Sequence, residues 1–179
     1  MMKLKYKYAV SFLFLALNLS CGLRGLNAAE AVYLIPKGYT GPVVIFFDQP
    51  DGVTPEVENG FTVYKIPGDG FLKVKTKAIY KINEQIFYYV DETGERTEIE
   101  YLYPRGWEET GSGKTRKSFN NINPDDTGIY VMGSEMGSFN GKNGVVRFRS
   151  FMIGKAFGSD KLYQETMNKI TNLHKSGNF

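Results

Sequence analysis

The sequence predicts a mainly β fold: a β-sandwich closed by one C-terminal α-helix. Three observations carry that expectation. Aromatic residues make up 15% of the 179 residues, with 12 Tyr and 13 Phe, a balance that suits strands better than helices. The interior of the chain breaks into short apolar or alternating runs separated by Pro, Gly, Asn and Asp turns. The period then changes once, near the C-terminus, from two to about 3.6.

Taken in order, Ala31 to Ile35 reads as a first strand, ended by Pro36-Lys37-Gly38. Gly38-Tyr39-Thr40-Gly41-Pro42 turns the chain into Val43-Val44-Ile45-Phe46-Phe47, five apolar residues too few for a helix, which read as a central strand buried on both faces. Asp48-Gln49-Pro50-Asp51-Gly52 stops it. Phe61 to Ile66 and Phe71 to Thr76 alternate around Pro67-Gly68-Asp69-Gly70 and read as a hairpin with one wet face. Gln85 to Val90 and Thr97 to Tyr103 form a second hairpin around Asp91-Glu92-Thr93-Gly94, its second strand patterned for a sheet edge. Pro104 to Asp126 is a long polar connection without periodicity. Strands resume at Gly128 to Met132 and, past a Gly/Asn turn at 140–144, at Val145 to Ile153. From Ser159 or Asp160, Leu162, Tyr163, Met167, Ile170 and Leu173 share one helical face, which predicts a helix over about 160–175.

The length fits one domain, expected over 31–179. The formal charge of +3 belongs to the N-terminus, because Lys3, Lys5 and Lys7 precede any acidic residue and Glu30 is the first carboxylate. Without those three lysines, 19 basic residues face 19 acidic ones, and the footprint that nucleic acid requires is absent. Residues 1–21 have the layout of an export signal: a Lys-rich start, the apolar run Ala9 to Leu17, then Ser20-Cys21. The run is too short for a permanent membrane anchor. Cys21, the sole cysteine, stands where bacterial lipoprotein signals place the residue that receives lipid, although Asn18 occupies the position that usually holds Leu. Residues 22–30 would then be a tether from a membrane surface. A second processing reading stays open: Ala29-Glu30-Ala31 also fits the small-x-small cleavage pattern, and cutting after Ala31 would release a soluble periplasmic or secreted protein.

Motifs for chemistry are few. Gly111-Ser112-Gly113-Lys114-Thr115 imitates the end of a phosphate-binding loop, but Glu108 stands where the first glycine is needed, so no nucleotide is expected. Asp126-Thr127-Gly128-Ile129-Tyr130 has the shape of a tyrosine corner, in which a Tyr early in a strand bonds back to the preceding turn of a sandwich. Tyr39, Tyr101, Tyr103 and Trp107 are candidates for an aromatic platform that would stack on sugar rings, or for ordinary sheet cover. Asp48, Asp51, Asp125 and Asp126 lie in turns without the spacing of a calcium loop, and no metal or cofactor is expected. His174, the only histidine, falls at the end of the helix, and Glu108 with Glu109 are neighbours in a loop, so no catalytic constellation is expected.

The run Tyr33-Leu34-Ile35-Pro36-Lys37-Gly38-Tyr39-Thr40-Gly41, with Glu58-Asn59-Gly60, Lys65-Ile66-Pro67 and Gly70-Phe71-Leu72-Lys73, resembles a family of small bacterial exported proteins and lipoproteins of unknown function. The similarity covers Ala31 to Tyr103 and implies an envelope module without implying an activity. The layout is also similar to transthyretin-like and immunoglobulin-like sandwiches. The expectation is a non-catalytic binding or structural module of the cell envelope, with a carbohydrate-binding module or an enzyme of unrecognised type as alternatives. Its partners are a membrane surface, through lipid on Cys21, and an envelope protein or glycan that the sequence does not identify.

Overall fold

A computed structural model describes residues 29–80, 82–102, 122–141, 144–157 and 160–176. Two five-stranded mixed sheets face each other, and one helix lies on the outside of the second. Sheet A runs β3 (Glu56–Glu58), β4 (Phe61–Lys65), β1 (Ala29–Pro36), β6 (Ile82–Val90), β7 (Arg96–Glu98). Sheet B runs β5 (Phe71–Lys73), β2 (Gly41–Phe47), β10 (Gly144–Lys155), β9 (Ile129–Gly141), β8 (Tyr101–Leu102). Helix α1 (Asp160–Ser176) follows, with bounds close to those the periodicity predicts.

The middle strand of sheet A is β1, parallel to β4 on one side and to β6 on the other. Its inward residues Ala31, Tyr33 and Ile35 enter the core between the sheets, while Val32 and Leu34 face outward. Tyr33 is fully buried and stacks on Tyr64 and Phe87 at 5.4 and 4.8 Å, with Phe151 of the opposite sheet edge-on at 5.1 Å. These offset and edge contacts are the preferred geometries for aromatic pairs.

The doubly apolar run Val43 to Phe47 is buried on both faces, as its sequence requires. Val43, Ile45 and Phe47 point into the inter-sheet core, and Val44 and Phe46 pack with Val146, Phe148 and Ile170 of α1. Within its sheet β2 is second from the edge, and β10 is the central strand.

The first expected hairpin does not form. β4 belongs to sheet A and β5 to sheet B, so Pro67 to Gly70 carries the chain between sheets. The Ile66 amide bonds the Leu34 carbonyl, and Gly70, with φ +81°, presents its carbonyl to the Val44 amide at 2.8 Å. The inward residues Tyr64, Ile66, Leu72 and Val74 all join the same core, and alternation alone does not distinguish strands facing each other from strands side by side. Nor is the outer face of β4 wet: Val63 is 2% exposed. β6 and β7 do pair as a hairpin, after which the chain crosses to sheet B and forms β8 on its edge. Ile122, from the end of the polar connection, is buried with Leu102, Tyr130 and Met132.

An ion pair also links the two edges of sheet A. β3 and β7 are its two edges, four inter-strand steps or roughly 19 Å apart if the sheet were flat. Yet the Arg96 guanidinium donates two bonds to the Glu58 carboxylate, at 3.0 and 2.8 Å. Twist must bring opposite corners together over the outward residues. Val32, Leu34 and Val63 are buried beneath, flanked by Phe61, Ile86, Tyr88 and Val90.

Replacing Tyr33 by Ala removes a fully buried ring that touches both sheets, and an expected loss of about 3–5 kcal/mol should appear as a lower urea midpoint. Asp91, which organises the β6–β7 turn, makes a second test. Its carboxylate accepts from the Thr93 hydroxyl at 2.7 Å and from the Thr93 and Glu95 amides at 3.0 Å each. The Thr93 bond leads the causes, ahead of the backbone bonds and Lys37, that hold its pKa down at about 2, from an ordinary 3.8. A lowered carboxylate pKa adds stability above the unfolded value that is lost as pH falls through the folded one. The melting-temperature gap between wild type and Asp91→Ala should therefore narrow between about pH 4 and pH 2.

Candidate functional site

Of the four aromatic candidates, Tyr39 and Tyr101 lie among the described residues; Tyr103, Trp107 and the lipidation candidate Cys21 lie outside them, as do 111–115, Glu108 and Glu109. Tyr39 is half-buried in the turn before β2. Its hydroxyl donates to the Pro42 carbonyl at 2.5 Å, and its own carbonyl accepts from the Tyr89 hydroxyl at 2.7 Å. Burial, then the nearby Asp69 charge, push its pKa up to about 12. A Cβ on Gly70 would collide with this hydroxyl and with the Pro42 carbonyl, so a glycine is needed where the two turns meet.

Tyr101 stacks on Phe87 at 5.7 Å, and its hydroxyl accepts from the Ser134 amide at 3.2 Å. Gly41, Ile153, Val131 and Tyr101 form one row across sheet B, which places Tyr101 three strand steps, about 14 Å, from the start of β2. The structure gives each ring its own seat against the core and does not gather the two into one surface.

The tyrosine corner has the geometry its spacing implies. Tyr130 donates its hydroxyl to one Asp126 carboxylate oxygen at 2.9 Å, and the Gly128 amide bonds the other at 2.6 Å. Asp51 pairs with Lys73 at 3.1 Å. Among the described residues no group of three or more His, Cys, Asp or Glu is placed to hold a metal ion. No helix among them is long and apolar enough to cross a membrane.

A polar cluster that the sequence reading does not single out sits inside the sandwich. Arg149 on β10 is 4% exposed. The register sets it opposite Ile45 and, two residues before Phe151, on the face of sheet B that looks into the core. One terminal nitrogen donates to the Ser134 hydroxyl at 3.2 Å and the other to the Ile79 carbonyl at 3.1 Å. Ser134 in turn donates to Gln85 Oε1 at 2.7 Å, and the Tyr33 hydroxyl reaches the same oxygen at 3.4 Å. Burial drives the Tyr33 pKa far above its ordinary value, with Arg149 opposing, so the phenol stays neutral. Tyr33 thus joins the aromatic stack to the polar cluster. The signal was present in the alternation of Arg147, Arg149, Phe151 and Ile153, but a strand buried on both faces hides which residues look inward.

The profile of a family of unknown function (DUF6843) matches residues 27–155. A crystal structure of a "Putative Lipoprotein from Bacillus anthracis" superposes with a TM-score of 0.50 at 17% identity, covering 83% of this chain and 98% of that one. At that identity the likeness concerns the fold. No curated protein matches the chain.

If Tyr39 is a structural peg, Tyr39→Phe should lower stability by about 1 kcal/mol by leaving the Pro42 carbonyl without its partner. Equal urea midpoints for the two proteins would remove that role.

Proposed function

We propose, for a chain that belongs to the DUF6843 family of unknown function, a non-catalytic binding or structural module of the bacterial cell envelope, held on a membrane surface by lipid on Cys21. The observation that carries the anchor is the start of β1. Cleavage after Ala31 would remove Ala29, Glu30 and Ala31, the first residues of the middle strand of sheet A. Ala31 is 1% exposed and is paired with Thr62 on one side and Gln85 on the other. Such a cut would trim two parallel ladders and the inter-sheet core. Processing before Cys21 leaves β1 whole, and the family profile likewise begins ahead of Ala31, at residue 27. The likeness in fold to the Bacillus anthracis lipoprotein named above supports the same reading.

Ala29 is eight positions after Cys21, at most about 28 Å of extended chain, which would keep the module close to the bilayer. A single lipid chain binds membranes only marginally, so a lasting anchor requires the multiple acyl chains of a bacterial lipoprotein. The module itself is read as non-catalytic because, in the buried cluster of guanidinium, phenols, hydroxyl and amide, the Ser134 hydroxyl donates to the Gln85 amide oxygen and not to a general base among the described residues. The glycan alternative gains no second reading from Tyr39 and Tyr101, since both rings pack against the core.

Growth with a clickable fatty acid tests the anchor. Wild type should carry the label and fractionate with membranes, with a mature chain that starts at residue 21. Cys21→Ala should lose both label and membrane association. Equal labelling of the two proteins, or a mature chain beginning at Val32, would overturn it.

A further inference from the structure

We infer that the Arg149 cluster is a binding site for a small monovalent inorganic anion, chloride being the most abundant of that class. Three observations lead there. Arg149 is almost wholly buried, and a guanidinium keeps its proton and its charge in a folded protein. Its hydrogen-bond partners are a hydroxyl and a backbone carbonyl, both neutral. The ion pairs of Lys37, Lys65, Lys73 and Arg96 lie elsewhere, and neither acceptor of Arg149 among the described residues is a carboxylate.

The second observation is that Nε of Arg149 is buried without a hydrogen-bond acceptor. A buried charge that is neither paired nor fully hydrogen-bonded is strongly unfavourable. The third is that Thr76 Oγ1 is also buried without a partner, three residues before the Ile79 carbonyl that receives Arg149. The segment that supplies the Ile79 carbonyl therefore carries a second buried polar group without a partner.

What these groups lack is an acceptor with negative charge. The neighbouring groups do not provide it. Burial holds the Tyr33 phenol neutral, Gln85 already accepts from Ser134 and Tyr33 through its carbonyl oxygen, and Ser134 is neutral. Size limits the ligand, because the cluster lies between two sheets among Tyr33, Phe87 and Phe151. A monatomic anion accepts bonds from any direction and needs less room than a hydrated phosphate. Bound there, it would be the counter-charge that lets an arginine occupy the apolar layer.

The test uses the full chain. Its melting temperature is followed as sodium chloride replaces sodium gluconate at constant ionic strength, and crystals are soaked in bromide for anomalous scattering. A saturable rise with chloride is expected, since a ligand that binds only the folded state stabilises it by mass action. A bromide peak beside Arg149 Nε is expected as well. Arg149→Met, with a side chain of similar reach and no charge, should lose the chloride response. A wild-type midpoint that is the same in both salts, together with no bromide peak at Arg149, would overturn the inference. So would a chloride response that persists in Arg149→Met. Should that variant fail to fold, the salt comparison and the bromide map on wild type still decide the matter.

Discussion

Tyr33 is the point on which the two sheets depend. It sits on the middle strand of sheet A, it is fully buried, and its ring meets one neighbour from β4, one from β6 and one from β10 of the opposing sheet. Parallel strands such as β1, β4 and β6 cannot be joined by tight turns. The chain must leave sheet A after β1 and again after β4, and each time it builds a strand of sheet B before returning. The mixed sheets and the crossings between them are two sides of one constraint. A single inward side chain that touches three strands is what such a layout needs to hold its register.

The edges answer a different pressure. Exposed edge strands invite pairing with other chains, and short ones limit it. Here β3, β5 and β7 are three residues each and β8 is two, while the interior strands run from five to thirteen. The Glu58 to Arg96 contact adds to this on sheet A by drawing its two edges towards each other. An exposed ion pair contributes little energy by itself. Most of the stabilisation on that face comes from Val32, Leu34 and Val63, which pack with Phe61, Ile86, Tyr88 and Val90 away from water.

How much of this could be read from the sequence depends on whether a local pattern has one structural meaning. Val43 to Phe47 has one: five apolar residues bounded by turns must be covered on both sides, by sheet A and, as it proves, by α1. The tyrosine corner has one too, because Asp126, Gly128 and Tyr130 are close enough to bond whatever surrounds them. Pro67 to Gly70 has two meanings, a hairpin turn or an arch between sheets, and only the pairing of β4 with β1 and of β5 with β2 selects the arch. The length of β9 was hidden for a related reason. Gly133 to Ser138 has little strand propensity, but Gly133 adopts φ +65° and the missing side chain of Gly137 makes room for the Phe148 ring. Tertiary partners hold that segment in the ladder against its propensity.

The polar cluster follows from the same logic and could not have been found by motif. Arg149, Ser134 and Gln85 come from β10, β9 and β6, and nothing in their spacing marks them as neighbours. What brings them together is the placement of β6 in sheet A opposite β9 and β10 in sheet B, which is the arrangement that Tyr33 and Phe151 establish. The apolar stack therefore fixes the sheets, and the fixed sheets set a buried guanidinium against the Ser134 hydroxyl and the Ile79 carbonyl. An apolar residue at position 149 would fill the same layer at lower desolvation cost. The presence of a charge there is thus not explained by packing alone; what the guanidinium adds is directional bonding, to Ser134 on β9 and to the Ile79 carbonyl ahead of β6, which an apolar side chain could not supply.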